Sequence, residues 1–263
     1  MKRIKIILSY LLGFILSVSI SLLGLLIIFK YTVFNKSYVK DLLVKNNYYE
    51  SIYNYINEGI SDYMVSSGLP ESVIDGTFTK DDVEKDINLF IDSMYEGKRV
   101  DIDTTRLKDK LRNNINVYIK SLNLGIDNTD ELDLFISDTA QIYTNEVKLY
   151  NMVDGFSHKF SEFGNIVDKA IIIDGVIDII LIIILIIFGT LNIGSSVMSS
   201  GIILILIRLF IFDRIDSKNI LIFSESFSVI VKKILGNISL FMLISGISLI
   251  IVGFIVSLLK KRR

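Results

Sequence analysis

From Ile6 to Phe29 the chain runs for 24 positions without one charged residue. A helix rising 1.5 Å per residue crosses the hydrocarbon core of a bilayer in about 20 residues. This segment therefore predicts a spanning helix, and every other element has to be arranged around it. The preceding Met1-Lys2-Arg3-Ile4-Lys5 would suit a secretory signal. However, the apolar run exceeds the about 7 to 15 residues of a signal core, and no small-x-small cleavage site follows Phe29. The expectation is an uncleaved signal anchor over residues 1–30.

Three further apolar stretches occur after one long polar segment. Ala170 to about Ile193 contains the unbroken run Ile179 to Phe188 and reads as a second span. Gly194-Ser195-Ser196 reads as a tight turn. Val197 to Phe212 is a shorter third span containing Arg208, with a re-entrant hairpin over 170–212 as the alternative. Ile238 to Leu259 is the fourth. This division explains how one chain combines 51% apolar residues, 22% charged residues and a mean hydropathy of +0.53. It excludes a simple soluble enzyme and a disordered chain, and the absence of cysteine excludes a disulfide scaffold.

Basic residues flank the outermost spans: Lys2, Arg3 and Lys5 before the first, Lys260, Lys261, Arg262 and Arg263 after the fourth. The positive-inside rule then predicts a multi-pass plasma-membrane protein with both termini cytoplasmic. Residues 31–169 fall outside. They carry 24 acidic and 15 basic side chains, a net charge of −9. A domain of that sign repels phosphate, which argues against nucleic acid as a partner.

The fold class expected is all-α, with four transmembrane helices and a helical extracytoplasmic domain between the first and second. Val83, Ile87, Phe90, Ile91, Met94 and Tyr95 recur at helical spacing. Thr79 with Asp82 forms a capping-box pattern and Gly97 stands at a C-terminal cap, so a helix over Lys80–Glu96 is predicted. Further helices are expected at Lys36–Lys45, at Tyr48–Ser67, from Leu107 to Leu122, and from Asn128 to Tyr150. Pro70, the only proline, follows Gly68-Leu69 at a helix start, where its missing N–H is harmless. Val100 to Ile102 is the one segment with some strand character. Phe156, Phe160, Phe163 and Ile166 continue a helical period into the second span, with Gly164 as a possible bend. The C-terminal region 170–263 forms the membrane bundle, and its segment 213–237 is amphipathic enough to lie on the outer bilayer surface.

Charges inside the spans are the sharpest functional signal. Asp174 and Asp178 lie four residues apart on one helix face, about 5 and 10 Å below the outer end of their span, and Arg208 lies about 6 Å below the end of its own. Matching depths predict an ion pair between Arg208 and one of the aspartates, because an unpaired charge at membrane depth is costly. The pair would serve as a structural clamp or as part of a proton or ion relay. Gly13, Ser17, Ser21 and Gly24 share one face of the first span, and Gly246, Gly253 and Ser257 approximate such a face on the fourth. These small residues point to close helix packing, within the bundle or against another subunit.

Other patterns carry little chemistry. Tyr48, Tyr49, Tyr53 and Tyr55 would offer rings to a partner if exposed, although AT-rich coding also explains their abundance. The acidic stretches 81–86 and 127–133 lack the glycine and glutamate of a calcium loop. His158 has no cysteine or second histidine to work with. No G-x-S-x-G, Walker or H-E-x-x-H pattern occurs, so neither an enzyme nor a cofactor or metal site is expected. The layout resembles that of multi-pass membrane proteins of low-GC Gram-positive bacteria, without a motif to carry over. The expected role is partner binding or envelope-complex assembly through the outer domain, in contact with the lipid bilayer; the alternative is a transporter or channel subunit using Asp174, Asp178 and Arg208.

Overall fold

The computed structural model describes residues 2–123, 129–148, 156–188, 192–211 and 225–261. Among these residues the secondary structure is entirely helical: α1 (Lys2–Tyr31), α2 (Lys36–Lys45), α3 (Tyr48–Ser66), a 3₁₀ turn (Glu71–Ile74), α4 (Lys80–Glu96), α5 (Thr105–Ser121), α6 (Thr129–Val147), α7 (Phe156–Ile187), α8 (Asn192–Ile211) and α9 (Glu225–Lys261). Four helices are long and apolar enough to cross a membrane, over Ile4–Tyr31, Phe156–Ile187, Ile193–Ile211 and Ser228–Leu259. The chain is a membrane protein. α8, with 20 residues, rises about 30 Å, the length of a full crossing.

The chain divides into two compact units, residues 1–38 with 162–220 and 231–263, and residues 39–161 with 221–230. In the second unit the apolar spacing dictates the packing. α3 buries Ile52, Ile56, Ile60 and Met64 along one face, α4 buries Val83, Ile87 and Ile91, α5 buries Leu107, Leu111 and Ile115, and α6 buries Ile136, Ala140, Tyr143 and Val147. Each large side chain removed from water contributes about 1.5–3 kcal/mol before the entropy of ordering it is subtracted. Rings add direction to this core: Tyr63 stacks on Phe135 at 5.0 Å, and Phe78 meets Tyr53 and Tyr143 edge-on.

The ends of α4 follow from local chemistry. The Asp82 N–H donates to Thr79 Oγ1 at 3.2 Å and the Thr79 N–H donates to Asp82 Oδ2 at 3.0 Å, a reciprocal capping box. Gly97 closes the helix at φ 68°, a left-handed conformation that glycine adopts without a Cβ clash, and the Lys98 N–H reaches back to the Ser93 carbonyl at 2.9 Å. Pro70 caps the 3₁₀ turn. Val100–Ile102 forms no strand. Asn128 and Tyr150 lie outside the described residues.

In the first unit, α7 runs unbroken through Gly164, where a Cβ would lie 3.2 Å from Phe34 Cδ1. That glycine makes room for a ring. Phe34 also packs on Phe163 at 5.8 Å, and Asn237 Nδ2 donates to the Tyr38 hydroxyl at 2.6 Å, so residues flanking the spans pack with the bundle. Two expectations change here. Gly194-Ser195-Ser196 is helical and belongs to the first turns of α8. Of the surface segment 213–237, residues 225–237 are the opening turns of α9, continuous with the fourth span, while 213–224 lie outside the described residues.

Candidate functional site

α7 presents Val167, Asp174, Asp178, Leu181 and Leu185 as one buried stripe with steps of seven, four, three and four residues. Leu181 and Leu185 pack around Leu16 of α1, with Leu12 and Ile20 beside it. At one end of this antiparallel pair, Lys30 Nζ sits 2.7 Å from Asp168 Oδ1. Within the stripe, the Ser19 hydroxyl donates to Asp174 Oδ1 at 2.6 Å. Asp178 is only 6% exposed and Asp174 9%. Both oxygens of Asp178, and Oδ2 of Asp174, are buried without a hydrogen-bond partner.

Ser19 stands 12 residues from Tyr31 and 15 from Ile4, so helix rise puts it about 18 and 22 Å from the ends of the α1 span. Asp174 therefore meets α1 near the middle of that helix, and α7 begins at Phe156, 14 residues before Ala170.

Arg208 is elsewhere. The expected ion pair with Asp174 or Asp178 is not formed: Arg208 Nε donates to Ser239 Oγ of α9 at 3.0 Å. The reason is a shared heptad. On α8, Gly194, Gly201 and Arg208 are seven residues apart; on α9, Ser239, Gly246 and Gly253 are seven apart. Gly194 meets Gly253, Gly201 meets Gly246, and Arg208 meets Ser239, all in one antiparallel register. A repeat of seven keeps a helix face on its partner, so Arg208 is carried onto α9 along with the glycines. α8 in turn sets Leu204 beside Gly24 of α1, five residues beyond Ser19 along that helix, and Arg208 follows one further turn away.

The small residues of α1 meet α8. A Cβ on Gly24 would lie 3.3 Å from Leu204 Cδ1, and Ser21 Oγ bonds to the Ser17 carbonyl at 2.6 Å and the Ser200 carbonyl at 3.1 Å. Gly13 and Ser17 line a cavity of about 450 Å³ with Ser195, Ser196 and Ser199. On α9, a Cβ at Gly253 would lie 2.5 Å from the Met198 N and 2.6 Å from the Gly194 carbonyl. Ser257 keeps its hydroxyl on the Gly253 carbonyl at 2.9 Å. Sequence reasoning missed Gly201 and Ser239, which the seven-residue step from Gly194 and Gly246 identifies. It also missed Ser19, for which no local signal exists.

The second unit has its own electrostatics. Tyr143 donates to Asp86 Oδ2 at 2.8 Å. Burial raises the Asp86 carboxyl above its ordinary range although the Tyr143 bond works against it, and burial raises Glu146 as well. Burial also pushes up Asp82, but its bonds to the Thr79 hydroxyl and N–H outweigh this and leave it lowered. Tyr48 and Tyr49 are core residues, 1% and 5% exposed, and Tyr55 is the exposed ring of the group at 53%. Asp133 pairs with Arg112 and Asp82 with Arg106. Among the described residues, no group of three or more His, Cys, Asp or Glu side chains is placed to hold a metal. His158 is exposed on α7. Set against known proteins, the chain matches no family model, no curated protein and no solved structure.

Proposed function

We propose that this is a multi-pass plasma-membrane protein that displays its acidic helical unit on the outer side as a binding module for a protein partner. The observation that carries the reading is the separation of charge and fold. The unit of residues 39–161 has its own apolar core, while basic residues gather at the far ends of α1 and α9. The unit also keeps large apolar side chains on its surface, with Val117 61% exposed, Leu134 65% and Tyr55 53%. An anchored module of this kind serves assembly of an envelope complex rather than catalysis.

Two measurements test it. Because the chain has no cysteine, single-cysteine variants at Lys45, Ser67 and Lys120 report sidedness cleanly. An impermeant maleimide added to intact cells should label all three and spare a cysteine placed at Lys2. Photo-crosslinking from Val117 and Leu134 in native membranes should capture one recurrent protein. Labelling of Lys2 only, or no crosslink under several growth conditions, counts against the proposal.

A further inference from the structure

We infer that Asp178, with Asp174 and Ser19, forms a proton-binding site in the middle of the membrane, and that Asp178 holds the proton at neutral pH. The inference stands on the bundle alone and is independent of the partner-binding reading.

An ionised carboxylate in the hydrocarbon interior needs a cation or several donors. Asp178 has neither, with both oxygens buried and unbonded at 6% exposure. Among the described residues no cationic side chain bonds either carboxyl, and the lysines of α9, Lys232 and Lys233, lie in its first turns, before the Ile238 that packs against Ile28 of α1. On α1, no ionisable side chain occurs between Tyr10 and Lys30, and Lys30 is engaged by Asp168. The only ionisable residue of α8 is Arg208, which is bonded to Ser239 of α9. On α7 itself, Asp168 and Lys169 lie more than a turn away toward the membrane surface, which leaves the two aspartates facing each other's field.

The two carboxyls are not equivalent. Asp174 accepts the Ser19 hydroxyl at Oδ1, which favours its charged form. Ser19 is also near Asp178, but its close bond goes to Asp174, and neither Asp178 oxygen has a direct hydrogen-bond partner. Two carboxyls one helical turn apart do not both ionise in a low dielectric, so the proton resides on the unbonded member, with Oδ2 of Asp174, one turn away and without a partner, as the acceptor it would turn to. The proton comes from water and returns to it, with no other bond changing. A divalent cation is the less suitable occupant, since calcium takes about 6–8 oxygens and two carboxyls with one hydroxyl fall short.

Dicyclohexylcarbodiimide modifies protonated carboxyls in apolar surroundings and therefore reads the site directly. The full-length protein in phosphatidylcholine vesicles should be modified at Asp178 at neutral pH, as located by peptide mass mapping. Labelling should fall about tenfold per pH unit once the pH exceeds the apparent pKa of the pair. Sodium or potassium chloride at constant pH should leave it unchanged. Failure to label Asp178 even at mildly acidic pH, labelling of Asp174 instead, or protection by sodium would each overturn the inference. Asp178→Asn supplies a second readout: the amide mimics a neutral acid that donates to Asp174, so the variant should fold with wild-type yield and thermal midpoint in detergent. Loss of folding on this substitution means that a charged Asp178 was required and also overturns the inference.

Discussion

Gly246 of α9 faces Gly201 of α8 so closely that a Cβ on Gly246 would lie 2.8 Å from the Gly201 carbonyl oxygen and 2.7 Å from Ile205 Cγ1. Both partners at this crossing are rigid, one of them backbone, so a methyl group has to push the helices apart. Gly246→Ala should lower stability by about 1–3 kcal/mol. Gly236→Ala, on the same helix with nothing within 4 Å of its Cβ, should raise it by up to about 1 kcal/mol through helix propensity. Unfolding midpoints of the two variants in one detergent check the contrast, and equal effects would sink the heptad contact.

The destination of Arg208 is testable by coupling. A double-mutant cycle of Arg208→Leu and Ser239→Ala should return an interaction of about 1–2 kcal/mol, as for a hydrogen bond with a charged donor. The corresponding cycle of Arg208→Leu with Asp178→Asn should return less than about 0.5 kcal/mol, because the residues lie at different depths on different helix pairs. A large second coupling would restore the ion pair suggested by the spacing alone.

At the start of α4, Thr79→Ala should destabilise the protein by about 1 kcal/mol. The Asp82 carboxyl is lowered in the folded state, so its contribution is present above the ordinary aspartate value of 3.8 and is lost as pH falls through the folded value. Hydrogen exchange of the first turns of α4, followed in wild type and Thr79→Ala toward acid, should converge as the capping carboxylate takes up its proton.

Asp86 has the opposite sign. Its raised carboxyl contributes stability below the ordinary 3.8, and that contribution is lost as pH rises through the folded value; Glu146 behaves alike above its ordinary 4.5. Mild acidification should therefore first protect α4 and α6 before the loss of the Asp82 cap reverses the trend. Asp86→Asn keeps an acceptor for the Tyr143 hydroxyl and removes the ionisation. It should flatten the first limb of the pH profile, while a profile identical to wild type would assign that limb to other groups.

Helices of the acidic unit were legible because polar and apolar residues alternate around them. The Thr79–Asp82 pattern and Gly97 located both ends of α4, and the apolar steps located α5. In the bundle, apolar residues cover every side, so composition fixes neither phase nor ends. Gly194-Ser195-Ser196 has the makeup of a turn and becomes helix because Gly253 and Ser257 close against it. Arg208 had a matching depth on paper, but its direction depends on a register between two spans that only their packed glycines reveal. Ser19 lies off the face that Ser17 and Ser21 share, and only the pairing of α1 with α7 singles it out for Asp174.

The single register of α8 and α9 has a mechanical corollary. Over the described residues α8 is about 30 Å long, whereas α9 from Ser228 to Leu259, a stretch that includes Lys232 and Lys233, measures about 48 Å at 1.5 Å per residue. Held together at Gly194–Gly253, Gly201–Gly246 and Arg208–Ser239, the two cannot tilt independently to absorb the difference. Any tilt that a bilayer imposes therefore moves both helices together, and lipid acyl-chain length becomes a variable of the stability of the pair rather than of either helix alone.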